Sequence, residues 1–180
     1  MSPELKEKWI FIVNPIAGNG FAKTMIPVIE KKLKEYDIDG EILLTEKSGH
    51  ASELSKSYYE KGYRYIIGVG GDGTVNEIAR PLVNKQDVVI GVIPAGTGND
   101  FIQITGFPDR FSEKDWEILF KKNIVVMDVG SVNGMIFLNG MGLGCDAQVA
   151  AENYTEPGKV KKGGKHKYIW HIVKTILFFK

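Results

Sequence analysis

The chain has 180 residues, of which 43% are apolar and 25% charged, and its formal charge is +1. That length suits one domain, or one domain and the start of another, with a sizeable core, and the composition excludes disorder, collagen and a coiled coil as descriptions of the whole. The charge balance gives nucleic acid no global attraction, while one cysteine, Cys145, and a start without a secretory signal lead us to expect a reducing, cytoplasmic setting.

Trp9–Asn14 is a short apolar run of the kind that forms a strand buried on both faces. Thr24–Tyr36 places Met25, Ile29, Leu33 and Tyr36 on one helical face, with Pro27 tolerable in a first turn. Glu41–Thr45 reads as a second strand and Ala51–Lys61 as a second helix, ended by Gly62. Tyr65–Val69, Thr74–Val83 and Val88–Ile93 continue as strand, helix, strand. After Phe107-Pro108 a helix capped by Ser112 should turn Trp116, Leu119 and Phe120 inward, and Ile124–Met127 reads as a fifth strand. This alternation predicts an α/β fold, a parallel sheet with helices on both faces.

The pattern then changes. Two apolar runs flank Asn133-Gly134, a strong hairpin signal, so a second domain is expected to begin near Val129. The division read from the sequence is 1–128 for an α/β domain and 129–180 for the start of another. Tyr168–Phe179 is twelve residues long, too short to span a bilayer, which takes about 20 apolar residues. The chain stops at Lys180 directly after that run, and the second domain is therefore expected to be truncated.

Three glycine-rich loops each follow a predicted strand. They are Asn14-Pro15-Ile16-Ala17-Gly18-Asn19-Gly20, Gly70-Gly71-Asp72-Gly73-Thr74 and Pro94-Ala95-Gly96-Thr97-Gly98-Asn99-Asp100. In a parallel sheet those positions share one edge, where ligands bind. Glycine lets backbone N–H groups approach an anion, and a following helix adds its positive end. Gly71 in particular is expected at positive φ. Thr74, Asn76 and Thr97 can donate further hydrogen bonds. Each loop alone reads equally as a tight turn; together they point to a polyphosphate site. None is a P-loop, and none carries the full dinucleotide fingerprint. Asp72 and Asp100 lie inside these anion-attracting loops and Asp128 follows the fifth predicted strand. Mg²⁺ with nucleotide phosphates accounts for all three better than loop capping, although backbone amides could also relieve the repulsion.

In these motifs the chain resembles the diacylglycerol kinase-like lipid kinases, in their bacterial soluble branch. The resemblance rests on Asn14-Pro15 with Gly18, Gly70 to Thr74 with Asn76-Glu77, Gly96 to Phe101, Asp128-Val129-Gly130, and Asn139-Gly140 with Gly142, Gly144, Asp146 and Ala147. It implies ATP- and Mg²⁺-dependent phosphorylation of a lipid hydroxyl, diacylglycerol or a related alcohol, in a cleft between an α/β domain and a β-sandwich domain. It also implies that Asn14, Pro15, Gly18, Thr45, Gly70, Gly71, Asp72, Gly73, Thr74, Val75, Asn76, Gly96, Thr97, Gly98 and Asn99 bind the nucleotide. Asp72, Asp100 and Asp128 would form an aspartate network holding Mg²⁺ through water. The family's general base belongs to an Asp-Gly-Glu-type motif that does not occur in 1–180. The resemblance therefore places the base beyond Lys180, and residues 1–180 alone are expected to be inactive on lipid.

His50 is expected to act locally at a helix start and Cys145 to be a small buried residue. The lysines from Lys159 to Lys167 could meet anionic headgroups, but a solvated loop before a core helix accounts for them more simply. Expected partners are a lipid substrate at a membrane surface, reached peripherally from the cytoplasm, and room for a homodimer, with no nucleic acid. The rival readings are an NAD kinase-like phosphotransferase and a nucleotide-binding module without catalysis.

Overall fold

Every residue of Trp9–Val13 (β1) is buried, because the strand sits inside a sheet covered on both faces. The computed structural model describes residues 7–142, 147, 154–156 and 159–160. The chain divides into two units, 1–139 and 140–180.

In the first unit β1 is followed by a 3-10 turn over Ala17–Gly20, a single helical turn Phe21–Thr24 (α1) and the helix Ile26–Glu35 (α2). Gly40–Leu44 (β2), His50–Glu60 (α3), Tyr65–Gly70 (β3), Asp72–Ala79 (α4) and Val89–Pro94 (β4) then alternate. Asp100–Ile104 (α5) and Glu113–Phe120 (α6) complete the α/β part. The sheet is parallel throughout, in the order β2-β1-β3-β4. Pro27 lies in the first turn of α2, where its missing N–H costs no hydrogen bond.

The alternation of β1 divides the core. Trp9, Phe11 and Val13 join Ile67, Val69 and Ile93 under Ala22, Met25, Ile29 and Leu33 of the α1–α2 region and Trp116 and Phe120 of α6. Ile10, Ile12 and Ile66 face the other way, against Ala51 of α3 and Ile78 of α4. Helices thus cover both faces, as the βα alternation requires. Ser112 precedes α6 at its N-cap, and its backbone N–H donates to the Asp115 carboxylate at 2.7 Å.

The α2 and α6 helices are joined by charge as well as by apolar packing. Lys32 of α2 is 2% exposed, and its ammonium bonds Glu113 and, at 2.9 Å, Glu35. Those hydrogen bonds push the Lys32 pKa above the ordinary lysine range, and the Lys32 bond holds the Glu113 carboxyl below its ordinary value. On the other face of the sheet Tyr63 donates to Glu41 of β2, and that bond pushes its phenol up to about 12.

The fifth strand is not formed. Ile124, Val125, Val126 and Met127 are 58%, 74%, 97% and 40% exposed and carry no ladder partner among the described residues. A strand needs a neighbouring ladder to satisfy its backbone, and apolar side chains alone do not supply one. The hairpin is present: Gly130–Val132 (β5) pairs antiparallel with Met135–Phe137 (β6), with Asn133 at φ 49° and Gly134 at φ 77°. Both turn residues have positive φ, as a type I′ turn requires. This hairpin groups with the first unit. α5 and the break in the first helix at Met25 are further departures from the sequence reading.

In the second unit Tyr154–Glu156 (β7) and Lys159–Val160 (β8) form an antiparallel pair. Gly144, Cys145, Asp146, the lysines after Lys159 and the run Tyr168–Phe179 lie outside the described residues. Among the described residues no helix is long and apolar enough to cross a membrane.

The charge pair between α2 and α6 makes stability depend on pH in a defined sense. Because the Glu113 pKa is lowered on folding, its contribution is present above the ordinary glutamate value of 4.5 and is lost as pH falls through the folded value. The raised Lys32 pKa contributes below the ordinary lysine value of 10.5 and is lost only at strongly alkaline pH. Urea titrations of the native chain and Lys32→Met should therefore differ by a constant amount from about pH 6 to 9. Below the glutamate range the variant should gain on the native chain; a difference unchanged at acid pH would refute the ion pair.

Candidate functional site

The strand order turns back at β1, with β2 on one side and β3 on the other, and the loops leaving the carboxyl ends of these strands lie along one edge. In open parallel sheets that crevice is the binding position. The backbone continues the sheet into the loops: Asn14 N–H donates to Val69 O at 3.0 Å, Thr45 N–H to Val13 O at 2.9 Å and Ala95 N–H to Gly70 O at 2.8 Å.

The glycines are needed first of all for the loops to touch one another. Gly18 sits at φ 58°, and a Cβ there would run into the carbonyl oxygen of Ala95. A Cβ on Gly96 would collide with the Gly71 backbone, and one on Gly71 would come to 3.1 Å from Gly96 Cα. Gly71 has φ −104°, so the expectation of positive φ does not hold. Close approach of two main chains, and not a left-handed conformation, demands glycine there. Gly70 is constrained differently, since a Cβ would lie 2.5 Å from Thr74 Oγ1. Gly73, in the first turn of α4, has nothing within 4 Å of a built Cβ. Its open flank lies in the first turn of α4, ahead of the Thr74 and Val75 N–H groups that donate to Gly71 O at 3.0 and 3.2 Å.

Asp72 occupies the first position of α4 and reaches across to α5. Its carboxylate accepts the Asp100 N–H at 3.1 Å and the Phe101 N–H at 2.8 Å. The anion in an anion-attracting loop is thus neutralised by amides at the start of another helix. Asn99, only 6% exposed and at φ 59°, closes the third loop on itself: its Oδ1 accepts the Gly96 N–H at 2.9 Å and its Nδ2 donates to Gly96 O at 3.3 Å. Asn14 Nδ2 donates to Thr74 Oγ1 at 3.4 Å, joining the first loop to α4.

These contacts separate the residues expected at the site. Asn14, Gly18, Gly70, Gly71, Asp72, Thr74, Gly96 and Asn99 are brought together by the contacts above. A Cβ on Gly98 would lie 3.3 Å from an Asp72 carboxylate oxygen and 3.8 Å from one of Asp100, so those two carboxylates flank the third loop. Thr97 is exposed on that loop, Pro15 lies in the first, and Thr45 directly follows β2. Val75 is a core residue, 1% exposed against Val92 and Ile102, so it can serve a ligand only through its backbone. Among the described residues Asn76 has no partner for its buried Oδ1, on the helix that begins at Asp72. Asp128 stands exposed in the segment after α6, and among the described residues no group of three or more metal-ligating side chains is gathered. His50 opens α3, where its Nδ1 accepts the Glu46 N–H at 3.0 Å, a local role as expected. The reach of Asp72 into α5 was not legible, because the short helix supplying its amides has no periodic signal of its own.

The fold and this edge define a doubly wound α/β domain whose glycine loops interlock at the topological switch point. Residues 8–132 match the diacylglycerol kinase catalytic domain family, and the chain belongs to that family. A diacylglycerol kinase of Staphylococcus saprophyticus is 30% identical over 159 residues, covering 87% of this chain and 50% of that protein. A diacylglycerol kinase of Bacillus subtilis is 31% identical over 153 residues, covering 83% of this chain and 49% of the relative. The crystal structure of a Bacillus anthracis diacylglycerol kinase superposes with a TM-score of 0.61 at 30% identity, over 77% of this chain and 52% of that one. The chain spans about half the length of the curated relatives it matches.

The two kinds of glycine can be told apart by mutation. Gly96→Ala should destabilise by about 1–3 kcal/mol, because main chain must move to admit the methyl group. Gly73→Ala should be neutral or gain up to about 1 kcal/mol, since its methyl meets no protein atom. Urea denaturation of both variants checks this, and equal losses would contradict the packing described.

Proposed function

We propose that this chain carries the nucleotide-binding part of an ATP- and Mg²⁺-dependent lipid kinase acting on the hydroxyl of diacylglycerol or a related lipid alcohol, with phosphatidic acid as the product from diacylglycerol. The observation that carries this reading is the interlocking of the glycine loops around the first turn of α4, in a chain of the diacylglycerol kinase catalytic domain family. The relatives named above support the choice of acceptor by their own activity.

Phosphoryl transfer asks a protein for positioning and charge stabilisation more than for covalent chemistry. In this reading the N–H groups at the start of α4 face the phosphates, with Gly73 leaving room for them. Asn14 and Thr74 fix the first loop beside that turn, and Asp72 fixes the third. Asn76 Oδ1, buried and without a partner among the described residues, is a polar group that a bound ligand would satisfy. Thr45 and Thr97 supply hydroxyls at the two flanks.

The residues fit Mg²⁺ in a limited way. Asp72 and Asp100 lie together beside Gly98, without a third carboxylate gathered among the described residues. Mg²⁺ commonly keeps its waters and takes one or two carboxylates plus substrate phosphates, so a protein-only cage is not required. Asp72 and Asp100 would hold it through water, with Asp128 the third member of the network. When bound, the ion would neutralise phosphate charge. We place the nucleotide domain within 1–128, and the protein would meet its lipid peripherally at a membrane surface.

Calorimetry on the purified chain with Mg²⁺-ATP should give saturable binding, and Gly73→Ala should weaken it by at least tenfold without lowering the unfolding midpoint. Absence of ATP binding by the native chain would sink this reading. The acceptor is tested with the full-length gene product, labelled ATP and diacylglycerol in mixed micelles beside NAD. Label in phosphatidic acid is expected; label in NADP alone would favour the NAD kinase-like reading, and label in neither would favour a module without catalysis.

A further inference from the structure

We infer that Glu77 is a positioning residue for this edge of the sheet: its carboxylate holds the loop between β2 and α3 against α4 and so makes that loop one wall of the nucleotide site. The inference rests on the nucleotide reading above. Glu77 Oε1 accepts the Gly49 N–H at 2.9 Å and is reached by the Ser48 hydroxyl at 3.5 Å. Gly49 is the N-cap of α3, at φ 81° and with no side chain to cap the helix. Glu77 therefore brings to the N-terminus of an eleven-residue helix the negative group that the helix lacks at that position.

Further bonds fix the loop to other elements, among them the ion pair of Lys47 with Glu53 of α3 at 2.9 Å. Thr45 N–H donates to Val13 O at 2.9 Å, tying the loop to β1, and Glu46 N–H donates to His50 Nδ1 at 3.0 Å, tying it to α3. Among the described residues, the hydrogen bonds between this loop and α4 are those of Glu77. Glu77 lies four residues beyond Gly73, on the same face of α4. The loop it holds therefore stands along the side of α4 on which Gly73 is open. Without that attachment the loop could drift from the phosphate turn while β1 and α3 kept it folded.

The test uses the full chain with Glu77→Ala and Glu77→Gln, Mg²⁺-ATP calorimetry, unfolding midpoints and amide exchange at Gly49. Loss of a hydrogen bond to a charged group should make Glu77→Ala bind Mg²⁺-ATP about tenfold more weakly and exchange the Gly49 amide faster. Glu77→Gln keeps an acceptor oxygen and should restore affinity to within about twofold of native. A global loss of structure would lower the unfolding midpoint and speed exchange in the central strands as well, which separates it from loss of position. Should Glu77→Ala fail to fold, Glu77→Asp, one methylene too short for the same reach, takes its place with the same expected weakening. Native ATP binding with unchanged affinity in the alanine or aspartate variant would overturn this inference alone. Equal weakening in the glutamine variant would also overturn it, since charge and not loop position would then be at work. Failure of the native chain to bind ATP would remove the nucleotide reading and this inference with it.

Discussion

The start of α4 carries the organisation of this edge of the sheet. Within six residues, side chains of one helix engage three different loops: Asp72 takes the amides of α5, Thr74 receives Asn14, and Glu77 receives Gly49. Backbone contact between Gly71 and Gly96 adds a steric tie. The neutral Asn14–Thr74 bond is worth only about 1 kcal/mol net in isolation, and those to the carboxylates about 1.5–3 kcal/mol. Their common origin on one short rigid element makes them act together, since none of the loops can move without breaking its tie to the same helix.

That helix is itself placed by the core. Val75 packs with Val92 and Ile102, and Ile78, on the same face three residues on, with Ile10, Ile12 and Ile66, so one face of α4 is buried across two parts of the sheet. Gly68 permits this closeness, because a Cβ there would lie 2.9 Å from Ile78 Cδ1. Loop-bonding polar residues and apolar core residues alternate along one eight-residue segment, and the helical period sorts them. A domain built this way holds its loops in place before any ligand arrives, which lowers the entropic cost of binding.

The aspartates show how the setting changes a residue's meaning. In the sequence Asp72, Asp100 and Asp128 are equivalent: acidic residues after strands. In the fold Asp72 is engaged by two amides, Asp100 lies beside it across Gly98, and Asp128 stands exposed in a segment that does not pair. Their equivalence depended on a fifth strand over Ile124–Met127, and apolar residues alone could not supply the ladder such a strand needs.

Local rules were enough to read the alternation of strands and helices, the glycine loops at strand ends, the cap at Ser112 and the hairpin at Asn133-Gly134. Each depends on residues within a few positions of one another, through periodicity, φ preference or capping. The motif residues also carried the family. Tertiary structure alone decided why Gly71 and Gly96 must be glycine, whom Asp72 and Glu77 bond, and that Lys32 is buried between α2 and α6. Those partners lie 25 to 81 residues apart in the chain. Contacts at that separation follow from how helices seat on the sheet, and no local pattern of residues encodes them.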